Sequence, residues 1–270
     1  MGSLPLGSLP LGSQPLGSQP LESQPSAAEI DRIVDHWRDA GVLYEGSDPS
    51  GRRARSLDVE RLIIDTVRMM AYMPRLFNTS ATWLNAYGDL VAKHRLKRLV
   101  TDDLDASLQP ALGALLDTAQ ESQIPREFAS VVATLRPADV PQSLFAVVRG
   151  NEVFTTHAKQ RTGEVGRRWR VYLIDEPLRP KVLRPASWIM KRHPDFVLRA
   201  DFKGDLRASV MASLAFDEGA DESELALARA AGGSRAQIRK ALDNLEMTGR
   251  VRRHRSKAGS RIELLKFAGA

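Results

Sequence analysis

The stretch SRAQIRKALDNLEMTG (Ser234–Gly249), followed by RVRRHRSKAGSRIELL (Arg250–Leu265), decides the fold. Its first half predicts an amphipathic helix. Ile238, Leu242 and Leu245 recur at helical spacing and make one apolar stripe, while Arg235, Gln237, Arg239, Lys240 and Asn244 point elsewhere. Ser234 is a good N-cap, and Gly249 stands where a helix closes on a left-handed residue. The second half predicts a two-stranded ribbon. Val251 opens one strand, Ile262 and Leu264 alternate in the other, and Lys257-Ala258-Gly259-Ser260 supplies the turn.

Two more helices precede this stretch. Leu206–Phe216 has its period in Leu206, Val210 and Leu214. Ser223–Ala230 forms the next, with Leu225 and Ala228 inward. Ala231-Gly232-Gly233 is the short Gly-bearing joint before Ser234. Three helices and a basic hairpin in this order describe a winged helix-turn-helix. In that geometry the helix from Ser234 enters the major groove of a duplex. The hairpin carries Arg250, Arg252, Arg253, Arg255, Lys257 and Arg261 with no acid among residues 250–261. Phosphate-facing cations release condensed counterions, so such a tip adds sequence-independent affinity. The expected contacts with double-stranded DNA are therefore Ser234, Arg235, Gln237, Arg239, Lys240, Asn244, Arg250, Arg252, Arg253, His254, Arg255, Lys257 and Arg261. Against this stands the plainer reading that such modules also bind protein, and that a charge run is often a solvated face.

The 270 residues suit about two domains. Net charge is +6 and the pI about 9.8, which suits an acidic polymer as partner. There is no cysteine, which excludes disulfides, thiolate metal sites and cysteine nucleophiles. No apolar run approaches ~18 residues, so no membrane span is expected. The N-terminus lacks a basic start and an apolar core, so it does not read as a secretory signal, and a cytoplasmic protein is expected.

Residues 1–25 are a degenerate pentapeptide repeat, GSLPL and GSQPL, whose regular prolines block helix and ladder alike; a disordered tail is expected. Residues 26–137 predict a helical domain, a bundle of about five helices. They are Ser26–Ala40 (with Ile30, Ile33, Val34 and Trp37 inward), Leu57–Met73 stopped by Pro74, Ala81–Val100, Ala106–Gln120 and Pro125–Leu135. Lys93, His94, Arg95, Lys97 and Arg98 would occupy the last turn of the third, where the dipole favours cations. Residues 138–200 predict a mixed connecting region with strands at Leu144–Val148 and Trp169–Ile174 and a short helix at Ala186–Lys191. The basic segment 157–170 reads as a solvated hairpin rather than a phosphate-touching loop. Asp195–Gly204 reads as a linker, and residues 201–270 as the winged helix-turn-helix domain. The fold class is thus mainly α, within α+β.

RLFNTSATWLNAYGDLVAKHRLKRLV (Arg75–Val100), together with VLRADFKGDLRASVMASL (Val197–Leu214) and the helix-turn-helix, resembles a group of loosely characterised bacterial winged-helix proteins. The resemblance covers roughly residues 57–265 and leaves out the repeat. It implies a transcriptional regulator, and for some members an antitoxin encoded near a small nucleotidyltransferase. It brings no catalytic residues.

One pattern imitates an active site. VLYEGSDPSGRRARSLDVE (Val42–Glu60) sets Gly46 and Ser47 before the pair Asp58 and Glu60, as in nucleotidyltransferases. That chemistry needs both carboxylates on one face of a strand. Here they open a helix and should diverge by about 200° around its axis, so capping is the preferred reading. His36, His94, His157, His193 and His254 show no metal-ligand spacing, and the cluster Asp102, Asp103 and Asp105 reads as a helix cap. No catalytic residue, metal or cofactor is expected. The expectation is a sequence-specific DNA-binding regulator acting as a repressor and homodimer, its helical part serving contact with a partner. The alternative is a protein-interaction adaptor or antitoxin.

Overall fold

The computed structural model describes residues 25–44, 56–121, 123, 126–256 and 259–265. These residues are mainly helical. The helices are α1 (Ala27–Asp39), α2 (Val59–Met69), α3 (Pro74–Tyr87), α4 (Lys93–Asp103), α5 (Gln109–Gln120), α6 (Ala129–Val132), α7 (Glu152–Gln160), α8 (Glu164–Trp169), α9 (Ala186–Arg192), α10 (Asp195–Phe202), α11 (Leu206–Phe216), α12 (Glu224–Ala231) and α13 (Arg235–Met247). Four strands join them: β1 (Gln142–Ser143) and β2 (Val171–Tyr172) pair in parallel, while β3 (Val251–Ser256) and β4 (Gly259–Leu264) pair antiparallel. The repeat in residues 1–24, Gly46, Ser47 and the hairpin tip at Lys257 and Ala258 lie outside the described residues.

One apolar cluster extends from Ile33 to Phe196. Trp37 of α1 and Trp83 of α3 meet edge to face at its centre, ring centroids 5.6 Å apart. Both are buried, and both indole N–H groups are satisfied: Trp37 donates to Thr66 Oγ1 (2.8 Å) and Trp83 to the Ala40 carbonyl (2.8 Å). Trp169 joins from α8. It lies on Gly113 of α5, where an added Cβ would fall 2.4 Å from the ring, and it donates to buried Asp117 (2.7 Å).

Several expected elements differ from those observed. Pro74 stops α2 and also starts α3, because its missing N–H costs nothing in a first turn. The single helix expected over Ala81–Val100 is two. A 3₁₀ turn at Gly88–Leu90 separates α3 from α4, Gly88 lying close against the Phe128 ring. Lys93, His94 and Arg95 therefore open a helix rather than close one, and the dipole argument for them fails. Leu144–Val148 is a run of bends and turns, and the basic segment 157–170 is built from the end of α7 and all of α8, not from a hairpin. The stretch expected as a linker is α10, whose Phe196 and Arg199 are buried.

A second apolar cluster holds the C-terminal helices and the hairpin. Val210, Leu227, Ala231, Ile238, Leu242, Leu245, Val251 and Ile262 are buried in it. The stripe read from α13 is the observed inner face. In α12 the inward residues are Leu227, Ala228 and Ala231, whereas Leu225, expected inward, is 45% exposed. Ser223 caps that helix, its Oγ accepting from the Ala226 N–H (3.0 Å). Gly232 adopts φ +77°, and a Cβ there would lie 2.5 Å from the His94 carbonyl oxygen of α4. The joint thus needs glycine twice, for its dihedral and for the close approach.

What fastens the two clusters is a charged knot around Arg95. Its guanidinium binds Asp58 through two hydrogen bonds (2.6 and 2.8 Å), Asp217 through two more (3.0 and 2.7 Å), and Glu60 through one (3.1 Å). Glu60 also accepts from Arg199 (2.8 Å) and from the Ala92 N–H (2.7 Å), and Arg98 reaches Asp217 at 3.4 Å. Three guanidinium groups meet three carboxylates, so the knot is neutral. Burial alone would raise the Asp58 carboxyl, but the hydrogen bonds and charge of Arg95 outweigh it and hold Asp58 below the usual carboxylate range. Burial likewise works against the charge on Arg95, and its bonds to Asp217 and Asp58 lift it above the usual guanidinium range.

Arg95→Ala leaves buried carboxylates facing one another and should cost about 3–5 kcal/mol at pH 7. A depressed carboxylate stabilises above its unfolded pKa, about 3.9, and that contribution disappears as pH falls through the folded value. Urea melts at pH 7 and pH 3.5 should therefore show the deficit of the variant shrinking at the lower pH. An equal deficit at both would count against the knot as its source.

Candidate nucleic-acid interface

The C-terminal surface is built from α13 outward. Ser234 and Gln237 form a capping box: Ser234 Oγ accepts from the Gln237 N–H (3.3 Å), and Gln237 Oε1 accepts from the Ser234 N–H (2.9 Å). The apolar stripe turns inward. Arg235, Gln237, Arg239, Lys240, Asp243 and Met247 are left exposed on the other side. After Gly249, at φ +67°, the chain enters β3. Residues Val251 and Ile262 face the core, Arg252, His254 and Arg261 are exposed, and the Ile262 N–H donates to the Asp221 carbonyl (2.8 Å).

The fold brings acids to this surface from the start of α12, from the turn before it and from β4. Glu224, at the start of α12, accepts from Arg239 (3.0 Å) and lies 3.9 Å from Arg235. Asp221 binds Arg261 (2.8 Å), and Glu263 binds His254 (2.9 Å) with Arg252 at 3.9 Å. The contact with His254 holds the Glu263 carboxyl below its ordinary range. Arg253 is the most engaged. It grips Glu246 through its Nε (2.9 Å) and Nη2, reaches Asp243 at 2.7 Å, and keeps only 15% of its side chain exposed. Hydrogen bonding to Glu246 raises its guanidinium above the ordinary range.

Magnitudes separate these pairs. An exposed ion pair contributes about 0.2–1 kcal/mol and can be exchanged for another anion. Arg239, with 58% of its side chain exposed, Arg235 and Arg252 are of this kind. Arg253, bound twice and half-buried, instead clamps the hairpin to the end of α13. Asn244 is also turned from the outer face: half-buried, it accepts from Arg207 of α11 (3.1 Å). Lys240 is exposed and makes no ion pair among the described residues. Arg250 is half-exposed. The side chains of Arg255 and Lys257 lie outside the described residues.

The nucleotidyltransferase-like pair has another role. Asp58 caps α2 by accepting from the Arg61 N–H (3.0 Å), as expected, but Asp58 and Glu60 do not diverge. As an N-cap, Asp58 lies outside helical geometry, and both carboxylates reach the same Arg95. Asp105 caps the following turn through the Ser107 N–H (2.7 Å), whereas Asp102 and Asp103 pair with Arg98 and Arg61. No group of three or more metal-ligating side chains occurs among the described residues. His193 is buried at the end of α9. Burial lowers its pKa, partly opposed by its bond to the Asp39 carbonyl (2.8 Å).

Compared with protein-family models, with curated proteins and with solved structures, the chain matches none of them.

Arg253→Ala should loosen the hairpin, costing on the order of 1 kcal/mol. Amide exchange should speed up in Val251–Arg253 and Ile262–Leu264 and stay unchanged in α1–α3. Protection unaltered in both places would deny the clamp.

Proposed function

We propose that the chain is a sequence-specific DNA-binding transcriptional regulator, a repressor acting as a homodimer, whose residues 201–270 form a winged helix-turn-helix. One observation carries the reading. A helix with a fully buried apolar stripe presents its opposite, cation-bearing face and its N-terminus to solvent, beside a basic antiparallel hairpin. A helix N-terminus and cations are what a phosphate backbone requires, and exposed side chains on the first turns are what base edges require. In this reading Ser234, Arg235, Arg239 and Lys240 meet base edges and flanking phosphates, and Arg252 grips the backbone. Gln237 reads a base only by surrendering its capping bond or by using its Nε2 alone. Arg253 and Asn244 hold the module together.

A second reading is favoured by the carboxylates on the same surface and by Met247, which is 79% exposed. A face with interspersed acids and a large exposed apolar side chain suits a protein partner, as in an adaptor or antitoxin. Capture in nuclease-treated lysate separates the two.

Duplex capture at two salt concentrations tests the first reading. Each phosphate contact contributes about 0.9 to the slope of log K against log salt. Replacing Arg235, Lys240 and Arg252 together by Ala should therefore flatten that slope by up to ~2.7. Glu224→Gln, which releases Arg239 and Arg235, should tighten binding to every duplex. An unchanged slope in the triple variant removes this face from the interface.

A further inference from the structure

Helix α7 is nearly without an interior. Of its nine residues only Ala158 is buried. Nine residues fall short of the ~12–15 that a helix needs to persist alone. Its ends are tied down instead. Asn151 Oδ1 caps it by accepting from the Phe154 N–H (3.0 Å), Thr155 Oγ1 donates to the Val148 carbonyl (2.8 Å), and Thr162 Oγ1 donates to the Ala158 carbonyl (2.7 Å). These ties leave two large apolar side chains in solvent, Val153 (74% exposed) and Phe154 (52%), with Val147 (62%) on the turn just before. Val153 and Phe154 stand four and three residues from His157, so the three share one face. Arg161 continues that face, and Glu152 is turned about 140° from His157.

Beside this face the cations are uncompensated. Residues 157–170 hold Lys159, Arg161, Arg167, Arg168 and Arg170 against one acid, Glu164. Of these five cations only Arg168 has an ion pair among the described residues, with Asp117 (2.7 Å). Lys159, Arg167 and Arg170 gather around one hollow beside Tyr172. Arg167 donates to the Thr162 carbonyl (2.9 Å) and Arg170 to the Asp139 carbonyl (2.6 Å). A neutral carbonyl fixes the direction of a guanidinium without cancelling its charge. The C-terminal surface is the opposite case, since Arg235, Arg239, Arg252 and Arg261 each lie beside a carboxylate there.

Uncompensated cations next to protruding apolar side chains discriminate between partners. A duplex would satisfy the cations but leave Val147 and Val153 in water, since aliphatic groups gain nothing at a phosphate backbone. A second copy would meet this face with the same positive surplus. A bilayer with anionic headgroups takes both: the apolar side chains enter its interface and the cations meet lipid phosphates. We propose that the face formed by α7 and the cations around its C-terminal end is a docking surface for an anionic lipid membrane. No helix among the described residues is long and apolar enough to cross a membrane, so the contact is peripheral. The proposal stands independently of the DNA-binding reading, because α7 and α8 pack on β2 and α5, whereas α13 packs on α11, α12 and β3.

The test is flotation of the full chain with vesicles of phosphatidylcholine alone and of an equimolar mixture with phosphatidylglycerol, at low and high salt. Partitioning onto the mixed vesicles should be stronger by about tenfold or more, and that preference should collapse at high salt. Val153→Ser combined with Phe154→Ser, both exposed, should weaken binding about tenfold. Lys159→Gln combined with Arg161→Gln should reduce the preference for the anionic lipid about tenfold. Arg235→Gln combined with Lys240→Gln removes the same charge from α13 and should leave vesicle binding as it was. Equal binding to the two vesicles, binding to neither, undiminished binding in either α7 variant, or as large a loss in the α13 variant would each overturn the proposal. Duplex binding that falls in the α7 variants while vesicle binding holds would overturn it in favour of a nucleic-acid surface.

Discussion

Arg95 is the constraint on which the rest depends. A guanidinium 1% exposed must be neutralised, and three carboxylates from two separate parts of the chain do so. Asp58 and Glu60 bring the start of α2, and Asp217 brings the end of α11. Because each of the two aspartates is held by two bonds, the direction of approach is set as well as the distance. The small residues beside the knot follow from it. Ala92, Ala208 and Ala212 are buried where α4 meets α11, and Ser209 Oγ takes the Arg95 N–H at 3.3 Å. Gly232 then lets the joint between α12 and α13 rest directly on the α4 backbone. The placement of α13 on the body of the protein thus rests on the packing of α11 and α12 on α4, with Arg95 beside it.

The C-terminal surface follows a different rule. Its shape comes from apolar burial, and its charge comes from pairs that cross between elements. Arginines consecutive in sequence end up in unlike roles: Arg252 exposed, Arg253 clamped to Glu246 and Asp243. Alternation along β3 explains the difference, since neighbouring residues face opposite sides of the ribbon. The proposed interface with DNA is therefore narrower than the run of basic residues suggests, and it centres on the first two turns of α13.

The elements with strong local signals were legible in the sequence. Ser234 announced its helix as an N-cap, Ile238, Leu242 and Leu245 announced a buried face, and the Gly-bearing stretch around Gly232 announced a joint. What was not legible depends on partners far along the chain. Arg95 sits in a run of cations that looks solvated, and its partners are 37, 35 and 122 residues away. The break at Gly88 likewise lies at a tertiary contact, against Glu127 and Phe128. The middle region misled because short apolar runs such as Leu144–Val148 suit a strand or a turn against a core equally well. On the candidate site, the basic residues were readable, but Glu224 and Asp221, from outside the hairpin, gave no hint that they would be folded back among them.

This partly neutralised surface would act toward a polyanion as an ion exchanger does. Any polyanion that takes Arg239 or Arg261 must first evict a resident carboxylate, and the evicted carboxylate then recruits a small cation from the buffer. Uptake there offsets part of the release from the polyanion. The ion release read from solution thermodynamics would then fall short of the number of side chains in contact.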